Sequence, residues 1–108
     1  MLIYKSWGTD WKITFKVSSY ANNGNLAISM IDWNDGYAEP YASLTVNLGD
    51  RGDTLPMNQA YVDTNNLSGI EAWIQKTGIG KFTGHVKPSG FCVYPLYEFD
   101  LEKIAQHS

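Results

Sequence analysis

The chain has 108 residues, 44% of them hydrophobic and 14% aromatic, with 8 Lys and Arg against 11 Asp and Glu for a net charge of −3. That size suits one domain with its own core, and a lone cysteine, Cys92, excludes an intramolecular disulfide. A slightly acidic chain with scattered cations excludes a phosphate-tracking protein and an anionic lipid surface, so neither direct nucleic-acid contact nor membrane association is expected.

No apolar run approaches the ~18 residues of a membrane helix. Residues 1–5 turn polar too soon for the apolar region of a signal peptide. The expected setting is soluble and reducing, most simply the cytoplasm.

In chain order, residues 2–7 read as a short strand closed by Gly8-Thr9-Asp10. Trp11, Ile13, Phe15 and Val17 then alternate with Lys12, Thr14, Lys16 and Ser18, a period of two that turns one side to the core and the other to water. Such a strand belongs to an antiparallel sheet more often than to a doubly wound parallel one. Asn22-Asn23-Gly24 supplies a turn.

Residues 25–48 organise the rest as one hairpin. Residues 26–33 alternate, Asn34-Asp35-Gly36 carries the Asp-Gly turn signal, and residues 41–48 return as a strand rich in β-formers. Pro40 lacks an N–H, so it belongs at a strand start, an edge or a bulge. Residues 49–56 form the longest loop, and residues 59–63 a brief strand.

One internal helix follows Thr64-Asn65-Asn66. Ser68 and Glu71 have capping-box spacing, Ile70, Trp73 and Ile74 share one face, and Gly78 reads as the stop. So short a helix must pack its apolar stripe on the sheet. Residues 81–86 form a strand broken by Lys87-Pro88-Ser89-Gly90. Residues 91–99 read as a strand covered on both sides up to Glu98, with Pro95 at a bulge or an edge. Asp100 N-caps a last helix over 101–106, with Phe99 and Ile104 at the spacing of a hydrophobic staple. The expected fold is α+β, a single domain over 1–108. It has a twisted antiparallel sheet of five or six strands, one helix packed on a face, and a short C-terminal helix.

Cys92, His85 and Asp63 could form a nucleophile, base and orienter, but a lone Cys is usually a small buried hydrophobe. Two histidines and one cysteine do not make a tetrahedral metal site. No metal or cofactor is expected, and an enzyme least of all. Asp32, Asp35 and Glu39 surround one turn, where geometry accounts for them better than acid–base chemistry. Gly78-Ile79-Gly80-Lys81 lacks the spacing of a phosphate loop. Arg51-Gly52-Asp53 spells an integrin-type tripeptide that is most simply an acidic turn.

What remains is aromatic surface and one polar strand end. Trp33 and Tyr37 flank a turn, Tyr94 and Tyr97 fall on opposite faces of the last strand, and Asp63, Asn65 and Asn66 precede the helix. These seven are the candidate binding residues: Tyr and Trp are typical anchors, and a helix start suits a polar ligand.

The segments over 39–48, 60–66 and 89–99 resemble a family of small uncharacterised proteins carried by phages, conjugative elements and gut bacteria of the Gram-positive kind. The resemblance implies a stand-alone cytoplasmic protein of a mobile element, with no catalytic residues to carry over. The expected function is a non-enzymatic binder of a host protein, for instance an inhibitor of a defence system. The alternative is a protein that sequesters a small polar, nucleotide-like ligand. An uncovered sheet edge near Pro40 or Pro95 could also pair with a second copy.

Overall fold

The computed structural model describes residues 1–49 and 52–108. Among them the chain forms two four-stranded antiparallel sheets. The first runs β1 (Leu2–Ser6), β2 (Thr9–Ser19), β3 (Leu26–Asp32) and β4 (Glu39–Ser43), in that spatial order. The second contains β5 (Thr45–Val46), β6 (Gln59–Val62), β7 (Gly80–Ser89) and β8 (Cys92–Phe99), in the order β5-β6-β8-β7. Helix α1 (Ile70–Thr77) precedes β7, and α2 (Leu101–Gln106) follows β8.

The α+β class with antiparallel pairing holds, but the single sheet of five or six strands does not. The reason lies at Leu44, where the expected return strand over 41–48 changes partners. The fully buried Leu44 donates its N–H to the Ile28 carbonyl of the first sheet and offers its own carbonyl to Asp63 N–H in the second. Thr45 Oγ1 accepts from Ile28 N–H at 3.2 Å, so the crossing is bonded on both sides.

Alternation in β2 places Ile13 and Phe15 in the core, and Trp11 half-buried against Tyr41 with ring centroids 5.0 Å apart. Val17 is exposed instead, because it lies past Ile13, where pairing with β1 ends. On the opposite side Thr14 is buried, and its hydroxyl accepts the Trp33 indole N–H at 2.8 Å.

The prolines sit where a missing N–H costs little. Pro40 lies in the edge strand β4, opposite Ile31 at a register shift. Pro95 faces Val86 at the end of an irregularity in β7, beyond the residues 96–98 that β6 pairs. Pro88 interrupts nothing: it lies inside the edge strand β7, which runs on to Ser89.

In α1 the buried stripe is Ile70, Trp73 and Ile74, and Gly78 closes the helix at φ 73°. The Ser68–Glu71 capping box does not form. Gly69, in a left-handed conformation, is the N-cap, while Ser68 lends its carbonyl to the Tyr4 hydroxyl and Glu71 bonds Tyr97. In α2 the expected cap is present, with the Asp100 carboxylate accepting Lys103 N–H at 3.1 Å. Phe99 and Ile104 are both buried beside it.

One continuous hydrophobic core draws on both sheets and both helices. Helix α1 braces the two sheets. Trp73 packs on Tyr4 and Phe15 at centroid distances of 5.2 and 6.1 Å, and Tyr97 of β8 bonds Glu71 from the other side.

The loop before β6 is tied down by the buried Asn25, which donates to the Asp53 carbonyl and accepts Leu55 N–H, both at 2.8 Å. Replacing Asn25 by Ala should therefore lower stability by about 1–3 kcal/mol, the cost of orphaning partly buried main-chain groups. Urea unfolding with a lower midpoint and an unchanged slope is the expected result.

Candidate binding surface

The β7–β8 hairpin carries the feature that core packing does not explain. Gly90 (φ 62°) and Phe91 form its two-residue turn between the paired Ser89 and Cys92, a turn whose first position favours glycine. Cross-strand partners share a face, and here the pairs are Phe82 with Tyr97, Val86 with Pro95 and Pro88 with Val93. One face of the hairpin thus carries a row of apolar pairs, interrupted on β7 by the irregularity between Phe82 and Val86.

That row begins in the core and ends bare. Tyr97 is fully buried, and its hydroxyl donates to Glu71 Oε1 at 2.8 Å and accepts Gln75 Nε2 at 3.1 Å. On β7 Phe82 and Val86 are 44% and 47% exposed, and past the buried Pro95 the side chains at the turn are bare, Val93 56% and Phe91 110% exposed. The opposite face is polar and anchored, where Lys87 Nζ bonds the Leu48 carbonyl at 3.3 Å.

Of the residues expected from the sequence to bind, Asp63, Asn66 and Tyr94 are near one another, and the others lie apart. Trp33 and Tyr37 belong to the β3–β4 connection of the first sheet. Trp33 is half-buried with its N–H spent on Thr14, whereas Tyr37 is exposed. A hydrogen bond to Glu39 holds the Tyr37 phenol above its ordinary pKa, helped by the charges of Glu39 and Asp35. Asp63 is buried and turned inward, accepting Asn66 N–H at 3.1 Å and Asn66 Nδ2 at 2.9 Å, so the two satisfy each other. Asn65 is exposed.

Tyr94 is half-buried on the polar face of β8. Desolvation raises its pKa first, then its hydrogen bond with the Cys92 thiol, and then the nearby charges of Cys92 and Asp63. Tyr97 lies on the other face, in the core, and so does not face the Asp63–Asn66 segment together with Tyr94. A hollow of about 200 Å³ at the start of α1 is lined by Thr64, Leu67 and Glu71 rather than by Asp63, Asn65 or Asn66.

The Cys92, His85 and Asp63 set is not assembled. His85 is exposed with its ring 6.4 Å from that of Tyr61, and Cys92 contacts Tyr94. His85 belongs to the irregularity facing Leu96, four residues from Cys92, or roughly 13 Å along a strand. Among the described residues no group of three or more His, Cys, Asp or Glu could hold a metal ion, and no helix is long and apolar enough to cross a membrane. Arg51 of the Arg51-Gly52-Asp53 tripeptide lies outside the described residues.

Sequence reasoning passed over Phe82, Val86, Phe91 and Val93. Reading residues 91–99 as covered on both sides hid the bare end of the strand. The signal was present in Gly90-Phe91, an aromatic residue at the tip of a glycine turn. A family model described as "Domain of unknown function (DUF4313)" matches residues 14–108. No curated protein and no solved structure matches the chain.

Proposed function

The chain belongs to the DUF4313 family, whose function is unknown, and from that premise we propose that it is a protein-binding protein that engages its partner through the β7–β8 hairpin. The observation that carries this reading is the exposed end of the apolar row, Val86, Val93 and Phe91. Leaving apolar area in water forgoes about 25 cal/mol per Å², and a contiguous exposed patch marks an interaction site more often than a scattered side chain does. A protruding Phe beside two β-branched residues offers the anchor and flank on which interface energy concentrates.

The reading is of a non-enzymatic binder. The resemblance to proteins of phages and conjugative elements supports a partner in a host's defence machinery, and that resemblance is its sole support. A small polar ligand is the second reading. A cleft of about 540 Å³ beside α2 favours it, with Lys81, Glu98, Asp100 and Glu102 among its lining residues.

The test is capture of a partner from a bacterial lysate by the wild-type protein and by a Phe91→Ser/Val93→Ser variant. Both positions are exposed, so the fold should change by no more than about 0.5 kcal/mol for each, whereas a hot spot is worth about 2 kcal/mol or more. The variant should lose the captured protein at least about tenfold. A control at Trp7, 95% exposed on the separate β1–β2 turn, should not. Equal capture by the hairpin variant, or an empty wild-type capture, refutes the reading.

A further inference from the structure

We propose that the free edge of β1 takes a short, extended, acidic peptide by strand addition, in the cleft between β1 and α1. This site is separate from the hairpin face and does not depend on it.

Four strands stand at sheet edges: β1, β4, β5 and β7. Exposed edges are usually blunted against chance pairing, and three of these are. Strand β4 carries Pro40 and a register shift, β7 carries Pro88 and the irregularity after Phe82, and β5 is two residues long. Strand β1 has five residues in unbroken register with β2 and no proline.

The direction of its main-chain groups follows from the turn. Trp7 and Gly8 join Ser6 to Thr9, a closing pair that exchanges hydrogen bonds in a two-residue hairpin. By alternation Leu2, Tyr4 and Ser6 face β2, while Ile3 and Lys5 turn their N–H and C=O groups outward. The Trp73 indole confirms this, because its Nε1–H donates to the Ile3 carbonyl at 2.7 Å. Among the described residues, Ile3 N–H and both main-chain groups of Lys5 have no protein partner.

These free groups open onto a cleft of about 320 Å³. Ile3 and Lys5 line the strand side, and Gly69, Ala72, Trp73 and Lys76 the helix side. Gly69 and Ala72 hold the helix wall back, since neither has a side chain long enough to fill the gap. The indole on the Ile3 carbonyl ends the slot, so the ladder has room for about three residues, each rising about 3.4 Å.

Charge selects the occupant. The lining residues that carry a charge at neutral pH are Lys5 and Lys76. Lys5 makes only a loose 3.9 Å contact with Asp10, both side chains being largely exposed, and Lys76 has no ion pair among the described residues. Glu71, on the same helix, is engaged by Tyr97. An added strand would gain main-chain bonds from the edge and its specificity from the two ammonium groups.

The experiment is selection of a random heptapeptide library on the immobilised full chain, followed by binding of the enriched peptides to variants. Enriched sequences should be acidic and β-prone. Ile3→Pro removes an outward N–H that β2 does not use, and Lys76→Glu reverses one charge. Each should weaken binding at least about tenfold while Phe91→Ser/Val93→Ser has no effect. Bound peptide should also slow amide exchange at Ile3 and Lys5 in the wild-type chain, a readout that survives if Ile3→Pro fails to fold. No enrichment, enrichment without acidic residues, or unslowed exchange overturns the proposal. So does a concentration-dependent dimer that Ile3→Pro abolishes, which would give the edge to a second copy.

Discussion

Replacing Trp73 by alanine should cost about 3–5 kcal/mol of stability, the range for truncating a large buried aromatic residue. A domain of this size has about 5–15 kcal/mol in total, so the variant should be marginal at 37 °C. The size of the effect follows from position. Trp73 is the residue of α1 that packs on Tyr4 and Phe15 of the first sheet and also bonds the Ile3 carbonyl, while the same helix bonds Tyr97 of the second. Truncation removes packing from the joint between the sheets. Trp73→Phe keeps most of the ring and leaves the Ile3 carbonyl at an open cleft where water can reach it, so its cost should be nearer 1–2 kcal/mol. Urea unfolding of the three proteins checks this. A loss below about 1 kcal/mol for the alanine variant would show that the helix is not the brace.

Alkaline pH should destabilise the protein through its buried phenols, Tyr4, Tyr97 and also Tyr61, whose pKa burial likewise raises. Tyr4 and Tyr97 are 2% and 0% exposed. Desolvation raises the pKa of each above the ordinary 10.0; the charge of Tyr41 adds to the effect at Tyr4, and Gln75 partly opposes it at Tyr97. The folded state therefore holds these protons more tightly than the unfolded chain does. Their contribution is complete below pH 10 and is lost as pH rises through the folded-state values. The urea midpoint should be flat from neutral pH to about 9 and fall above about 10. Tyr97→Phe should be less stable at neutral pH by about 1 kcal/mol for its lost hydrogen bonds, yet less steep in its alkaline decline. Equal alkaline slopes for the two proteins would contradict the assignment.

The candidate surface shows where local reading stops. Val93, Pro95, Tyr97 and Phe99 occupy the same face of one strand, and nothing in their spacing separates them. Tyr97 and Phe99 are sealed in the core while Val93 is bare, because the covering helix serves only one end of the hairpin. The aromatic residues chosen by type divided the same way. Tyr37 reached solvent, Trp33 was held by Thr14, and Tyr97 went to the core.

Features that depend on a few neighbouring residues were legible in the chain: the alternation around Ile13 and Phe15, the Asp35-Gly36 and Asn22-Asn23-Gly24 turns, the Asp100 cap, and the Ile70/Trp73/Ile74 stripe. Each is set by backbone geometry and side-chain period, which act over one or two turns of chain. Long-range packing set the rest: residues 41–48 divide between two sheets, Ser68 caps nothing, and β1 keeps an open edge beside α1. Those outcomes turn on partners distant in sequence, Leu44 with Ile28 and Asp63, Tyr4 with Ser68, and Trp73 with Ile3. A hydrogen bond goes to whichever group packing brings within reach, and no local pattern encodes that.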